Sequence, residues 1–284
     1  MVAFAANSIL CRLALDQGHI DAASFTMIRV SAGTLTLVLL LLPQLLANRT
    51  TPLAASAADT SLLALIKSHL APTAAIALTA YLVFFSFAYV SLGTATGALI
   101  LFGTVQFTMF CSALIAGERF SFIAWCGLAI AAAGVVYLLL PGVTAPDFFG
   151  TTLMIAAGIG WGVYSLKGRG TDNPLLATGV NFLLATPLVA AIAGISWLIV
   201  ENPHLTPTGV SLAVASGALA SGVGYAVWYS ALRGLSAGSA AIIQLSVPVI
   251  AALGAALFVN EPITLRLMIS AVAVLGGILL LLRN

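Results

Sequence analysis

Charged residues are scarce in this sequence. Asp, Glu, Lys and Arg make up 6% of the 284 residues, whereas 61% are hydrophobic and the mean hydropathy is +1.15. A water-soluble fold could not cover so much apolar side chain with so little polar surface. The chain is therefore predicted to be an integral membrane protein surrounded by lipid. A net charge of +2 without any Lys/Arg cluster excludes nucleic acid as a partner.

Cysteine and histidine are also scarce. The three cysteines, Cys11, Cys111 and Cys126, are odd in number and lie in apolar stretches, which argues against a disulfide framework. The three histidines stand in short polar connections, apart from one another and from every cysteine. Because no metal-ligand spacing results, the sequence predicts neither a metal site nor a cofactor.

Acidic residues are missing from the middle of the apolar runs. All of them fall in predicted loops or at predicted helix ends: Asp16, Asp21, Asp59, Glu118, Asp147, Asp172, Glu201 and Glu261. A proton-coupled pump usually needs an ionisable side chain inside the bilayer. The pattern therefore favours facilitated export or exchange over direct proton antiport.

Apolar runs long enough to cross a membrane are abundant, since a spanning helix needs about 20 such residues. Polar residues divide the chain into ten predicted helices at 1–15, 22–46, 70–91, 94–116, 120–140, 148–168, 174–199, 208–232, 237–259 and 263–283. The long connection at 47–69 is predicted to hold an interfacial helix ending near Lys67. Seven basic residues on one side against three on the other predict that both termini are cytoplasmic.

The two halves of the chain repeat one pattern. Glu118 in "AGERFS" and Glu261 in "VNEPIT" are 261 − 118 = 143 residues apart. Each follows a small-residue helix and precedes a glycine-bearing helix, so the chain is predicted to contain two five-helix repeats, 1–140 and 148–284. Because five is odd, the second repeat enters the membrane from the opposite side. Such an inverted repeat is typical of transporters with a site between the halves.

These features resemble the EamA-type transporters of the drug/metabolite transporter (DMT) superfamily, and most of all the bacterial YddG-type amino-acid exporters. The resemblance covers the whole chain and rests on residues 7–12, Gly117–Glu118 and Asn260–Glu261–Pro262. It implies an inner-membrane carrier, not an enzyme, that exports amino acids and related small metabolites by alternating access. The small multidrug exporters of this superfamily use a Glu in the first helix, where this sequence has Asn7. A small-molecule substrate and the lipid bilayer are the implied partners, with a monomer favoured.

The resemblance also implies a central cavity between helices 1, 3, 4, 6, 8 and 9. Polar and aromatic residues on these helices are the predicted substrate-binding residues: Asn7, Tyr81, Phe85, Phe102, Gln106, Trp161, Tyr164, Tyr225, Trp228, Gln244 and Ser246. Each has an alternative role in ordinary packing. Trp228 stands near a helix end and could equally belong to an interfacial aromatic belt.

Pro248 and the two repeated glutamates carry structural predictions. Pro248 falls within "IIQLSVPVIAAL" and cannot donate to the carbonyl of Gln244, so it is predicted to kink helix 9 and to turn Gln244 and Ser246 towards a wet interior. A purely structural kink is the alternative. Glu118 and Glu261 are predicted to anchor the starts of helices 5 and 10 by accepting from first-turn N–H groups, with a moving gate as the alternative.

Three basic residues and two glycines complete the predictions. Arg12, Arg29 and Lys167 are expected to reach the headgroups or to neutralise helix C-termini, although one of them could receive a substrate carboxylate. The small residues of helix 8 are expected to serve packing, with bending at Gly222 and Gly224 as the alternative.

Other classes of protein fit the sequence less well. A nucleotide-sugar or drug carrier of the same superfamily is the main alternative, although few interior basic residues are available for a diphosphate. An intramembrane enzyme would need a nucleophile with a base, or a metal cluster, at depth. A non-transporting scaffold or channel is the third alternative.

Overall fold

The computed structural model describes residues 1–50, 70–142, 145–168, 171, 173–199, 203–232 and 242–282. Within these ranges the side chains of residues 44–50, 229 and 232 are not described. Apart from a single isolated bridge between Ile20 and Leu205, the regular structure in these ranges is helical. The predicted all-α fold is thus confirmed. The interfacial helix predicted near Lys67 lies outside the described residues.

Ten helices follow one another in the described part of the chain. They are α1 (Val2–Asp16), α2 (Ala22–Thr50), α3 (Pro72–Ala88), α4 (Thr94–Ile115), α5 (Phe122–Leu139), α6 (Phe148–Lys167), α7 (Pro174–Ile199), α8 (Pro207–Ala215, Ser216–Val223 and Gly224–Leu232), α9 (Ile242–Val259) and α10 (Leu265–Leu281). Seven are long and apolar enough to cross a membrane, while α3 and α10 are apolar but have 17 residues each.

The helix ends agree with the predicted spans to within a few residues. Proline opens α3, α7 and α8 at a position where the missing N–H has no intrahelical partner to lose. The predicted start of helix 9 at 237 lies outside the described residues. Among the helix ends that the structure describes, the largest difference is in α2, which continues to Thr50, four residues beyond the predicted end. This extension moves the start of the long connection and leaves the order of the helices unchanged.

Helices α8 and α9 depart from regular α-helix geometry. In α8 the segment Ser216–Val223 is π-helical, and α9 ends in a second π-helical segment, Ala255–Val259. A π-turn adds a residue per turn and shifts every following side chain around the helix axis. The π-helical segment of α8 contains Gly222, one of the two glycines considered as a bending point.

The turns around the two glutamates have the same structure. Gly117 and Asn260 both adopt left-handed backbone conformations, with φ of +86° and +56°, and are 260 − 117 = 143 residues apart. Ser121 and Thr264, which are 264 − 121 = 143 residues apart, each accept a hydrogen bond at the start of the next helix. The turn motif is therefore repeated at the same offset as Glu118 and Glu261.

Glycines allow the closest helix contacts. A Cβ added to Gly277 in α10 would lie 2.5 Å from the carbonyl oxygen of Gly127 in α5, and a Cβ added to Gly127 would lie 2.5 Å from that of Gly277. The α5–α10 pair thus packs backbone against backbone. On α6, Gly158 and Gly162 face α4, while Gly160 faces the backbone of α3. Helix α6 can therefore approach the centre of the bundle closely.

Candidate functional site

A small cavity lined by buried residues lies among five helices from both halves of the chain. It is lined by Phe4 and Asn7 of α1, Tyr81 and Phe85 of α3, Leu101 and Phe102 of α4, Trp161 of α6, and Tyr225 of α8. Six of these are among the residues predicted from the sequence to bind substrate. Their side chains are buried although their helices are distant along the chain.

Aromatic rings form most of the cavity wall. Trp161 stacks on Tyr225 with a centroid distance of 5.4 Å and an interplanar angle of 19°, and it also lies 4.9 Å from the ring of Tyr81. Phe4 contacts both Trp161 and Tyr225, at 6.0 and 5.6 Å. The rings leave space for about one water molecule. A larger solute would therefore require the rings or their helices to separate.

Asn7 is held in place by the π-helical segment of α8. The hydroxyls of Ser216 and Ser221 approach Asn7 Oδ1 at 2.7 and 3.4 Å. Residues five apart lie on different faces of a regular α-helix, but the π-turn brings these two serines to the same side chain. The cavity wall thus includes a neutral hydrogen-bonding group linked to the second half of the chain.

Arg29 of α2 is buried beside this cavity, with no measurable exposure. Its Nη2 donates to the Tyr81 hydroxyl at 3.1 Å, its Nε approaches Ser221 Oγ at 3.5 Å, and its Cζ lies 4.7 Å from the centroid of the Phe85 ring. The prediction that Arg29 reaches the headgroups is therefore wrong. Its contacts hold the guanidinium inside the bundle.

The remaining predicted binding residues lie elsewhere. Tyr164 and Trp228 are one ring away from the cavity, since their centroids lie 5.5 Å from Trp161 and 5.9 Å from Phe4. Gln106 lines a separate small cavity between α4, α5 and α10. The central cavity is not lined by Gln244 or Ser246, although Gln244 is buried.

A turn at Leu245 interrupts α9 near Pro248. The helix resumes at Ser246, so Pro248 stands in a first turn, where its missing N–H breaks no intrahelical bond. The predicted irregularity is present as a break three residues before the proline. The Ser246 hydroxyl donates back to the carbonyl of Ile243 at 2.7 Å. This local bond occupies Ser246, which was predicted to contact substrate.

Arg12 and Glu261 connect the two halves at the end of the bundle predicted to face outward. Arg12 Nε donates to Glu261 Oε1 at 3.2 Å, and Arg12 Nη1 donates to the carbonyls of Tyr89 and Val90 just beyond α3, at 3.1 and 3.3 Å. Arg12 therefore neutralises a helix C-terminus, as predicted. It also forms an ion pair with Asp16 at 2.6 Å.

Glu261 caps a different helix from the one predicted. Its Oε2 accepts from the backbone N–H of Thr94 at 2.7 Å, which is the first turn of α4. The starts of α5 and α10 are capped by the hydroxyls of Ser121 and Thr264, while Glu118 is exposed. The predicted anchoring of a helix's own first turn is therefore wrong for both glutamates.

Further contacts close the same end of the bundle. The Thr206 hydroxyl donates to the carbonyl of His19 at 2.8 Å, and the N–H of Asp21 donates to the carbonyl of His204 at 3.1 Å. The Ser91 hydroxyl and the backbone N–H of Gly150 both donate to the Asp147 carboxylate. These bonds, and that of Gly150 most of all, lower the pKa of the Asp147 carboxyl below its usual value. Arg12 and Glu261 also line a cavity of about 330 Å³ here.

Lys167 lies in a different place from the other two basic residues. It is exposed at the end of α6 and lines a groove between α4 and α6 together with the exposed Ile115 and Ile159. An apolar groove with a cation at its end is compatible with a lysine that extends to the headgroups. That role stays a prediction.

Sequence reasoning missed four residues that line or support the central site, namely Phe4, Leu101, Ser216 and Ser221. Phe4 is three residues before Asn7 and so shares its helix face, which was a usable signal. Arg29 was named from the sequence as one of three basic residues that could receive a substrate carboxylate, but its burial beside the cavity was not predicted. By contrast, regular helical periodicity gave no reason to pair Ser216 with Ser221.

Comparison with known proteins identifies the family. Residues 148–283 match the EamA-like transporter family. The chain is 45% identical to an uncharacterized protein of Pseudomonas aeruginosa over 284 residues, covering 99% of this chain and 91% of that protein. It is 24% identical over 208 residues to an uncharacterized transporter of Archaeoglobus fulgidus, covering 72% of this chain and 73% of that protein.

A solved crystal structure supports the same overall fold. It has a TM-score of 0.62 to this chain at 18% identity and covers 98% of this chain and 95% of that one. At this identity the likeness concerns the fold alone. With its apolar spanning helices, its family match and its relatives, the chain belongs to the EamA-like transporter family of the drug/metabolite transporter superfamily and is a multi-pass membrane protein.

Proposed function

We propose that this protein exports amino acids, including those with aromatic or apolar side chains, and related small metabolites across the bacterial inner membrane. The observation that carries this proposal is the aromatic cavity between helices of both halves. A solute with an apolar side chain fits aromatic walls, while Asn7 adds a neutral hydrogen-bonding group. Aromatic faces also attract an ammonium at a desolvated site, by about 2 kcal/mol.

Alternating access is the mechanism that suits this arrangement. The cavity is nearly filled by its rings, and Arg12 and Glu261 connect the halves at one end. Transport then requires these contacts to break as the halves move, so that the cavity opens to one side at a time. The walls hold a solute mainly through apolar contact, which permits its release.

Two inverted five-helix repeats are part of this proposal. Supporting it, the left-handed residue, the glutamate and the hydroxyl cap of the two turns all recur at an offset of 143 residues. An odd number of helices between equivalent turns would place them at opposite membrane surfaces. We infer a monomer with both termini in the cytoplasm, the orientation that the distribution of basic residues favours.

Counterflow in proteoliposomes tests the proposed function. L-phenylalanine loaded inside should drive saturable uptake of radiolabelled L-phenylalanine. Trp161→Ala and Tyr225→Ala should lower the initial rate about tenfold or more by removing the cavity wall. Trp125→Ala removes a ring that is 47% exposed on α5, and this control should retain the parental rate. Parental rates in both cavity variants would contradict the site, and chemical turnover of the solute would indicate an enzyme.

Transport should not require a proton gradient. The described carboxylates, Asp16, Asp21, Glu118, Asp147 and Glu261, lie in loops or at helix ends, and none lines the central cavity. We therefore expect collapse of the pH difference across the proteoliposome membrane to leave the initial rate within about twofold. A steep loss would indicate proton coupling, with Glu118 and Glu261 as the first carboxylates to replace.

A further inference from the structure

We propose that Arg29 binds the carboxylate group of the transported solute, so that the carrier selects carboxylic acids bearing an apolar or aromatic group. This inference deepens the proposed function. It rests on that function because it assumes that the solute bound at Arg29 is also transported. It assigns a recognition role to a residue of α2, which contributes no lining residue to the central cavity.

The charge of Arg29 is uncompensated within the described part of the chain. The guanidinium is fully buried, and its Nη1 has no hydrogen-bond partner there. The ion pairs found among the described residues involve Arg12, and none involves Arg29. A buried cation without a counter-ion is costly, and an orphaned donor adds to that cost. A carboxylate from a solute would supply both the missing charge and the missing acceptor.

The neighbours of Arg29 connect it to the cavity. Tyr81, which accepts its hydrogen bond, and Phe85, whose ring lies against the guanidinium, are both cavity-lining residues. Ser221 contacts both Arg29 and Asn7, another lining residue. A solute that separates these side chains therefore meets the guanidinium next, without any movement of Arg29 towards the membrane surface.

The backbone around Arg29 is also fixed from the second half of the chain. A Cβ added to Gly217 would collide with the carbonyl of Arg29, so the π-helical segment of α8 packs directly on α2 at this residue. This contact and the side-chain bonds preorganise the guanidinium. A preorganised donor fork is the arrangement that suits a planar carboxylate.

The single charge favours a carboxylate over a phosphate. Within the described residues, the only basic side chain touching the cavity lining at this site is that of Arg29. Arg12 lies near the end of the bundle and is already paired with Asp16 and Glu261. A dianionic phosphate or a diphosphate would keep an unbalanced negative charge in an apolar cavity, whereas one carboxylate would neutralise Arg29.

A matched pair of probes tests the inference in the unaltered protein. Binding of 3-phenylpropionate and of 3-phenylpropionamide to the purified full-length protein in detergent would be measured by calorimetry. The two probes have nearly the same shape, and only the first carries a charge. We expect the carboxylate to bind at least tenfold more tightly than the amide, because it forms charge-assisted hydrogen bonds with Arg29.

Substitution of Arg29 tests its role directly. Arg29→Gln should reduce the preference for the carboxylate to within about twofold, while Arg29→Lys, which keeps the charge and loses the fork, should retain an intermediate preference. Lys167→Gln changes the net charge equally at an exposed site away from the cavity, and it should bind both probes as the parent does. If Arg29→Gln does not fold, binding of the two probes to the unaltered protein still tests the inference, because equal binding would overturn it.

The outcomes separate this inference from the proposed function. Equal binding of the two probes, binding of the amide alone, or binding of neither would overturn the assignment of Arg29, whatever the counterflow experiment shows. A carboxylate preference that depends on Arg29, in a protein without L-phenylalanine counterflow, would support the binding site and contradict the proposed export of amino acids.

Discussion

The side chains of Arg12 and Glu261 make the clearest residue-level connection between the two halves. Both are mostly buried, with 15% and 19% exposure, so their ion pair is less screened than one at a surface. Glu261 also accepts from Thr94, and Arg12 also donates to carbonyls beyond α3. Loss of Arg12 leaves the carboxylate of Glu261 without an ion-pair partner among the described residues, in a partly buried position, whereas Arg12 without Glu261 keeps its ion pair with Asp16.

Neutralising one partner should therefore open this end of the bundle more often. We expect Arg12→Gln to raise the rate at which a maleimide labels Leu101→Cys, in the central cavity, by about tenfold in a cysteine-free background. Asp16→Asn removes the more exposed ion pair and should raise the labelling rate much less. Labelling of Leu101→Cys at the same rate with and without Arg12 would show that this pair does not hold the end closed.

At the scale of elements, the α5–α10 contact depends on glycine at one position and not at its neighbour. A Cβ at Gly277 would lie 2.5 Å from a backbone oxygen that cannot rotate away, whereas a Cβ at Gly276 would meet no atom within 4 Å. Alanine is favoured over glycine in a helix by roughly 1 kcal/mol when space is available. The two adjacent positions thus form a matched pair.

Gly277→Ala should destabilise the protein, and Gly276→Ala should leave its stability unchanged or raise it. The overpacking at residue 277 is expected to cost about 1–3 kcal/mol. Thermal unfolding in detergent, followed by the loss of monodisperse protein, would show a lower Tm for Gly277→Ala alone. Equal Tm values for the two variants would mean that α5 and α10 separate easily, and that their close contact contributes little to stability.

At the scale of the whole molecule, orientation in the membrane decides which side the Arg12–Glu261 end faces. The distribution of basic residues predicts that His204 is outside and Lys167 inside. An impermeant maleimide added to intact cells should label His204→Cys and should label Lys167→Cys only after the membrane is permeabilised. The opposite result would reverse the topology and place the connected end in the cytoplasm.

The sequence by itself determined the class of protein and most of the cavity wall. Scarce charge and long apolar runs require a membrane environment, and the positions of proline and polar residues set the helix ends. Regular α-helical periodicity then relates each aromatic residue to one face of its helix. That Tyr81, Trp161 and Tyr225 surround a common centre was implied by the resemblance to the transporter family, and all three line the central cavity.

Only the tertiary structure decided which partners the polar residues have. Periodicity identifies a helix face but not the neighbour that packs on it, so the burial of Arg29 against Tyr81 and the capping of α4 by Glu261 could not be derived from spacing. Departures from α-helix geometry had a similar effect. The π-helical segment of α8 brings Ser216 and Ser221 to Asn7, and the break at Leu245 restarts α9 before Pro248. Both irregularities change the rotation per residue, which sequence patterns assume to be that of a regular α-helix.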